Sequence, residues 1–427
     1  MSPRRAEARL TPRGHGVAAL AAGLIAAGAV AGPQFRGQTL AAWGFAVLVF
    51  LLAYRAFFAA RAAAAVARLE RRLLTRPSDG ASFEVGLRVC SSLPSGVDLV
   101  VEDEAPPGME RLSPPRGAVP AVPGGCAELA YRLRGRPGRH RWGKTRITAR
   151  DWLGLLTADL GRATPRGVSE TRVAPKPARI AGRALGWLVA AAASTTGLRG
   201  SGTVFLELRE YMPDDDSRLI DWKSSARTGK LLVKVFEKET RGRILVIADL
   251  ACGLWGVPGH TLAEAAARVA AGAVSWAARQ GEEVALLALL PDGGVAATGW
   301  LRGPTASRAA AALLSSIQYG ASGVAGAASC SCPPVPARRL AARLGPRRPA
   351  VAVLVSPLGG GCRGRAGELE ELARVVRAAR IVRLAAIPRP PEGLETVYKV
   401  RAAAVTKAAG GGWLVVWDTG APVAGGW

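Results

Sequence analysis

Histidine is nearly absent from this 427-residue chain, which holds only His15, His140 and His260. That leaves little room for a histidine-built metal centre. Cysteine is scarce as well, six residues in all, and no two are spaced as in a structural zinc site. Six are too few for a disulfide-built fold, so Cys90 and Cys126 read as small core residues. Aromatic residues make up 6%, too few to interleave with basic ones as stacking platforms for single-stranded nucleic acid. Acids are outnumbered 32 to 57 by Lys and Arg, for a formal net charge of +25. The hydrophobic fraction is nevertheless 49%, which excludes a wholly disordered chain. The length allows more than one domain, because single cores rarely grow beyond about 250–300 residues. No nucleophile–base pair falls within reading distance, so the expectation is no enzyme, no catalytic residue, no metal and no cofactor.

What the chain does have is concentrated apolar sequence near its start. Residues 17–32 carry no charge, and residues 39–54 carry none either. Each run falls a little short of the roughly 20 residues that a bilayer core requires, and flanking residues such as Phe57 and Phe58 extend the second. Three readings compete: a signal peptide in the first run, a buried hairpin of a soluble protein, and a transmembrane helical hairpin. Two successive runs separated by a tight loop fit the transmembrane hairpin best. Arg4, Arg5, Arg9 and Arg13 precede it, Arg55, Arg61, Arg68, Arg71, Arg72 and Arg76 follow it, and the loop holds only Arg36. By the positive-inside rule both ends, and the soluble domains after them, are expected in the cytoplasm. The unpaired look of the cysteines agrees with that side. Val66, Leu69 and Leu73 at helical spacing predict that residues 59–76 continue as a basic helix. It reads either as lying on an anionic leaflet or as a solvated linker.

From residue 82 the texture changes to short apolar runs separated by Pro and Gly. Strands are expected at 83–90, 97–102, 127–134, 144–149 and 155–160, and a β-sandwich follows from that spacing. Residues 209–237 then alternate charge at close range, through Arg209, Glu210, Asp214, Asp215, Asp216, Arg218, Asp221, Lys223, Arg227, Lys230, Lys234 and Glu237. Asp221-Trp222 is expected to open a helical turn that buries the indole against Ala226. Arg227-Thr228-Gly229-Lys230 turns into a strand over 231–236. Consecutive aspartates lack the spacing of a calcium loop, and Thr228-Gly229-Lys230 lacks the Walker glycine. An internal ion-pair network and a docking face for a charged partner both remain open, and the two are compatible.

Beyond residue 242 strands alternate with helices. Strands are expected at 243–250, 283–290, 295–301, 350–355 and 381–387, and helices at 261–279, 306–317 and 366–379. A Gly/Ala/Ser/Cys loop covers 320–332, with Cys330-Ser331-Cys332 too close for a structural zinc pair. This pattern predicts an open, largely parallel sheet wrapped by helices.

The run Arg209-Glu210-Tyr211-x-Pro213-x-Asp215-Asp216-x-Arg218-x-Ile220-Asp221-Trp222-Lys223-x-x-Ala226-Arg227 resembles the signature of the domain of unknown function 58 family. Residues 131–155, with Arg134-Gly135 and Asp151-Trp152-Leu153-Gly154-Leu155, are similar to the stretch preceding that signature. Asp214 stands where the family usually has Gly, implying a tighter or strained turn. The resemblance implies a C-terminal von Willebrand factor A-like (Rossmann-like) domain, which in many such proteins binds magnesium through Asp-x-Ser-x-Ser. Here the stretch is Asp249-Leu250-Ala251-Cys252-Gly253, so both hydroxyl ligands are gone. Asp249 is left as a loop-capping residue, since one carboxylate does not fill an octahedral site.

The expected architecture is multi-domain. It runs as a basic tail (1–16), two transmembrane helices (17–58), a juxtamembrane helix (59–80), a β-sandwich-like domain (81–172), a linker with the charged signature (173–241) and the α/β domain (242–427). The expected function is a membrane-anchored, non-catalytic scaffold or adaptor. Its partner-binding or structural positions are Arg209, Glu210, Tyr211, Asp215, Asp216, Arg218, Asp221, Trp222, Lys223, Ala226, Arg227 and Lys230. The resemblance implies a MoxR-type AAA+ ATPase as partner, in assembling or activating other complexes. The alternative is a basic binding module for nucleic acid or another anionic polymer at the membrane surface, although no specific nucleic acid is expected.

Overall fold

The computed structural model describes residues 7–32, 35–63, 67–91, 97–120, 125–180, 199–213, 215–237, 243–251, 256–290, 292–319, 349–358, 365–378, 380–409, 413–419 and 421. Asp214, Cys252, Gly253 and the 320–332 loop with Cys330 and Cys332 lie outside them. The chain divides after Val173 into two compact units.

The first unit opens with strand β1 (Ala8–Leu10) and two helices, α1 (Pro12–Val30) and α2 (Phe35–Ala63). Thr11 caps α1 by accepting from the Gly14 amide at 3.2 Å, and Pro12 suits the first turn, where no intrahelical donor is needed. Both helices are long and apolar enough to cross a membrane. They pack on each other along small residues spaced by seven, with Gly14, Ala21 and Gly28 buried on α1 and Gly37 and Gly44 buried on α2. A Cβ added at Gly44 would meet the Ala21 carbonyl at 2.7 Å, and one at Gly28 would meet the Gly37 carbonyl at 2.7 Å. Such close approach of backbones is how apolar helices associate where no hydrophobic drive separates them from lipid. Trp43, Phe45, Val49, Phe50 and Leu52 face outward instead.

Strands β2 (Ala67–Leu73), β3 (Ser82–Ser91), β4 (Val97–Asp103), β5 (Glu110–Arg111), β6 (Arg116–Pro120) and β7 (Cys126–Arg134) follow. After them come β8 (Gly138–Arg141), β9 (Thr145–Asp151), β10 (Leu156–Ala163), β11 (Arg166–Gly167) and β12 (Glu170–Val173). They form two five-stranded sheets, in order β1-β10-β9-β4-β6 and β11-β2-β3-β7-β5, with β12 pairing β8 separately. Leu69, Leu87 and Val89 of one sheet share a core with Leu99, Val101 and Ile147 of the other. The five strands expected in this region are all present. β1 pairs antiparallel with β10, and Phe58 and Ala62 of α2 join the same core. Both ends of the helical hairpin are therefore held by one sandwich, with the Arg55 Nε donating to the Ala8 carbonyl at 2.9 Å.

Two expectations are corrected here. The basic stretch read as helix over 59–76 is helix only to Ala63 and becomes strand β2 at Ala67–Leu73. Its inward positions are Leu69, Arg71 and Leu73 at period two, and Arg71 is 1% exposed. Its guanidinium donates to Asp103 through Nε (2.9 Å) and Nη2, and to the Val168 carbonyl at 3.1 Å. It lies over the Trp142 ring at 4.7 Å. Tyr131 and Thr145 also donate to Asp103. Burial, then the Asp103 charge, push the Tyr131 phenol well above its ordinary range. The second correction concerns Cys90 and Cys126, which are direct cross-strand neighbours on β3 and β7 and form a disulfide. The cysteines thus give no support to a reducing compartment.

In the second unit β13 (Arg199–Glu210) pairs with β14 (Leu232–Glu237) as a separate two-stranded sheet. Between them lie a 3-10 turn (Ser217–Leu219) and the short helix α3 (Trp222–Thr228). The remainder alternates as expected: β15 (Arg243–Asp249), α4 (Leu262–Arg279), β16 (Glu283–Leu289), β17 (Val295–Ala297), β18 (Leu301–Arg302), α5 (Gly303–Ser315), β19 (Val351–Ser356), α6 (Arg365–Val375) and β20 (Arg380–Ile387). The chain then adds α7 (Glu395–Ala409) and β21 (Leu414–Trp417), which the sequence pattern had not revealed. The sheet order is β17-β16-β15-β19-β20-β21, with β18 also on β16. β15, β16, β19, β20 and β21 are parallel, and β17 is antiparallel. Such strands are buried on both faces and read as continuous apolar runs, as Ile244 to Ala248 do. Alanine-rich α4 covers one face, and Thr261 and Glu264 close a capping box at its start.

The helical hairpin gives a direct test. Gly28→Leu and Gly44→Leu should each lower the thermal midpoint of the detergent-solubilised protein, by an overpacking cost of about 1–3 kcal/mol. Gly23→Leu, at a position where an added Cβ meets nothing within 4 Å, should leave it unchanged. Equal loss in all three would remove the packing stripe as the cause.

Candidate functional site

The charged segment is organised by its own backbone and side chains. Tyr211 donates its amide to Leu231 at 2.9 Å, and Asp221 donates to Leu232 at 2.9 Å. Ile220 bridges Val233. Ser225, the buried residue of α3, accepts from the Leu232 amide at 2.8 Å and so locks the helix onto β14. Gly229, at φ +71°, closes α3 in the left-handed region that favours glycine, and its amide reaches the Ser225 carbonyl at 3.0 Å.

The acids serve this frame. Asp215 accepts from the Met212 amide at 2.8 Å and from Arg209, and those contacts, in that order, hold its carboxyl below the ordinary range. Asp216 caps the 3-10 turn through the Arg218 amide at 3.0 Å. Asp221 accepts from the Ser224 hydroxyl at 3.0 Å, which with the Lys234 charge at 3.9 Å depresses its carboxyl too. Glu210 accepts from Lys230, and that bond raises the ammonium's pKa.

Arg209, Glu210, Asp215, Asp216, Asp221 and Lys230 thus all bond within the segment, and Tyr211 is half-buried. Arg218, Trp222, Lys223, Ala226 and Arg227 are exposed. Among the described residues, the side chains of Arg218, Lys223 and Arg227 make no hydrogen bond or ion pair. The expected burial of Trp222 is corrected, for the indole is 67% exposed. The reason is geometric: α3 makes barely two turns, and its inner contact with β14 is taken by Ser225. Leu208, Met212, Leu219 and Leu231 are exposed on the same segment.

A second location was singled out by Asp249, at the carboxyl end of β15. The strand order reverses between β15 and β19, and ligands of open α/β sheets gather at such a crevice. Asp249 is fully buried. It accepts from the Ala251 amide at 3.3 Å, as a loop cap, and from the Ser356 hydroxyl at 3.0 Å. The decisive partner is Arg365 at the start of α6, which donates Nε and Nη2 to the two carboxylate oxygens at 3.0 and 2.9 Å. Arg365 Nη1 also reaches Glu368 at 3.0 Å. Burial works against this guanidinium, but the bonds to Asp249 and Glu368 more than offset it and raise its pKa. A fork-shaped cation therefore sits on the carboxylate at the head of the crevice. Sequence reading sought a second carboxylate near Asp249 and so passed over a basic companion. Among the described residues no group of three His, Cys, Asp or Glu side chains is placed to hold a metal ion.

Residues 207–297 match the family model described as "Protein of unknown function DUF58". This stretch belongs to the DUF58 family. No curated protein matches the chain. The DUF58 stretch takes in the charged segment from the end of β13 and the first two parallel strands with Asp249, ending at β17. Ser356 and Arg365 lie beyond it, so the ion pair in the crevice joins the DUF58 stretch to the rest of its sheet.

Removing one member of a buried ion pair leaves an uncompensated charge, a cost of about 3–5 kcal/mol. Asp249→Ala should therefore strongly destabilise the second unit in urea denaturation. Asp249→Ala combined with Arg365→Met should recover much of that loss, because no lone charge remains. A double variant as unstable as the single one would show that the pair's charge is not what matters there.

Proposed function

We propose that the protein is a membrane-anchored, non-catalytic scaffold that uses its DUF58 segment to dock a partner protein. The observation that carries this reading is the exposure of Trp222, with Leu208, Met212, Leu219 and Leu231, on a segment held in shape by its own ion pairs. Large apolar side chains on a preorganised frame favour association, because little ordering is required on binding. Tryptophan is among the residues that most often dominate interface energetics. The family resemblance supplies a MoxR-type AAA+ ATPase as the partner, in assembling or activating other complexes.

Counting β15, β16, β17, β19, β20 and β21 as one to six, the sheet order is 3-2-1-4-5-6 with an antiparallel third strand. We read this as a von Willebrand factor A-like domain. In it, the place where a metal would bridge to a partner holds the Arg365–Asp249 pair, which moves the docking role to the charged segment. The test is affinity purification from crosslinked native membranes, comparing wild type with Trp222→Ala. An AAA+ ATPase recovered with wild type and lost with a variant of unchanged thermal midpoint is the expected result. Recovery of no protein, or of the same protein equally with both, overturns the reading.

For the anchor, we take α1 and α2 to span the membrane with the arginine-rich ends, and both units, in the cytoplasm. The Arg distribution favours this side. The Cys90–Cys126 disulfide favours the opposite one, since such bonds persist mainly in oxidising compartments. In a bacterial host, a C-terminal fluorescent-protein fusion should glow and a C-terminal alkaline phosphatase fusion should be inactive. The reverse pair of results would place both units outside.

A further inference from the structure

The outer surface of α3 is built at a local cost. Trp222 and Ala226 form one i,i+4 row, and Lys223 and Arg227 form the adjoining row; all four residues are exposed. Like charges at i,i+4 on a helix oppose each other. Lys223 also stands in the first turn, where the helix dipole disfavours a cation and where α3 has no acidic residue. Neither cation has a side-chain partner among the described residues, although the same segment carries Glu210, Asp215, Asp216 and Asp221. Those acids are engaged elsewhere: Glu210 with Lys230, Asp215 with Arg209 and the Met212 amide, Asp216 with the 3-10 turn, and Asp221 with Ser224. The segment thus binds these acids to its own amides, hydroxyls and cations, and leaves Lys223 and Arg227, two like charges at i,i+4, beside an exposed indole.

Resting on the scaffold reading above, we propose that this face of α3 binds an acidic segment of the partner protein. A partner carboxylate sits between Lys223 and Arg227, and an adjacent apolar side chain packs on Trp222 over the gap left by Ala226. An anion there removes the repulsion that the isolated helix carries, and the indole supplies apolar contact that a charge pair alone lacks. The observations favour a protein over the other polyanions. Nucleic acid without base readout needs a series of stacking rings along a basic groove, and α3 presents one. Lipid docking needs a long apolar helical face, and α3 has two turns with one large apolar side chain facing outward.

The full chain in neutral-lipid nanodiscs is titrated into a labelled peptide of repeated Glu-Glu-Leu, with anisotropy as the readout. A Lys-Lys-Leu peptide, oligothymidylate and phosphatidylglycerol vesicles serve as the competing probes. The expected result is binding of the acidic peptide alone, weakened by about tenfold or more in Trp222→Ala, the loss of roughly one interface anchor. Lys223→Glu with Arg227→Glu should lose the acidic peptide and gain the basic one, a reversal that a merely structural role does not produce. No binding of the acidic peptide, unchanged binding in the variants, or preference for nucleic acid or vesicles lost in those same variants overturns the proposal. A photo-crosslinker at Ala226 in native membranes separates the two levels. A crosslinked partner segment rich in Glu or Asp supports both readings. A basic or uncharged segment overturns this inference and leaves the scaffold standing. Absence of any crosslinked protein overturns both.

Discussion

A guanidinium taken out of water must find a carboxylate, because an uncompensated buried charge costs several kcal/mol. Each unit of this protein meets such an obligation with a buried pair. In the first, Arg71 reaches from β2 to Asp103 at the end of β4, and Tyr131 of β7 and Thr145 of β9 complete the carboxylate's bonds. β2 and β7 belong to one sheet and β4 and β9 to the other. The pair therefore fixes how the two sheets face each other, in a way that interchangeable apolar residues would not. In the second unit Arg365 plays the same part for β15, β19 and α6 through Asp249 and Ser356. A third pair, Arg268–Asp418 at 2.9 Å, ties α4 to the chain just after β21.

The same demand shapes what is left outside. The charged segment places its acids where backbone amides and nearby cations satisfy them, so its frame is settled without help from any other molecule. What remains on its surface, the α3 face and several apolar side chains, has no role in holding the frame. Separating a self-sufficient scaffold from an unsatisfied face suits recognition: the face is preorganised, and its contacts are left for the partner to complete.

The helical hairpin follows a different rule. α1 and α2, long and apolar enough to cross a membrane, meet through glycine and alanine at intervals of seven, which bring the backbones close. β1 before α1 and β2 after α2 then place both ends in the sandwich. Hairpin and sandwich consequently form one folded unit, where the sequence suggested a hairpin followed by a basic helix, lying on a leaflet or solvated as a linker.

The sequence by itself determined the apolar hairpin, five strands of the sandwich, the alternation of strands and helices in the second unit, and the DUF58 signature. Each rests on local periodicity or on a contiguous motif, and local patterns survive without knowledge of what they pack against. Tertiary structure alone decided the rest. β2 reads as helix because Val66, Leu69 and Leu73 fall at helical spacing; its strand period is hidden by Arg71 at an inward position, where only Asp103, more than thirty residues away in the chain, makes a cation tolerable. Cys90 falls on an expected strand and Cys126 just before another, but pairing needs the register between β3 and β7, which no single strand encodes. Trp222 reads as buried because it stands four residues before Ala226 on a helical turn, yet Ser225 holds the inner side of α3. Asp249 reads from the sequence as a loop cap, which its bond from the Ala251 amide bears out, while its guanidinium partner is brought there by α6, far along the chain. Burial of a charge depends on which distant group meets it, and that meeting is a property of the folded chain.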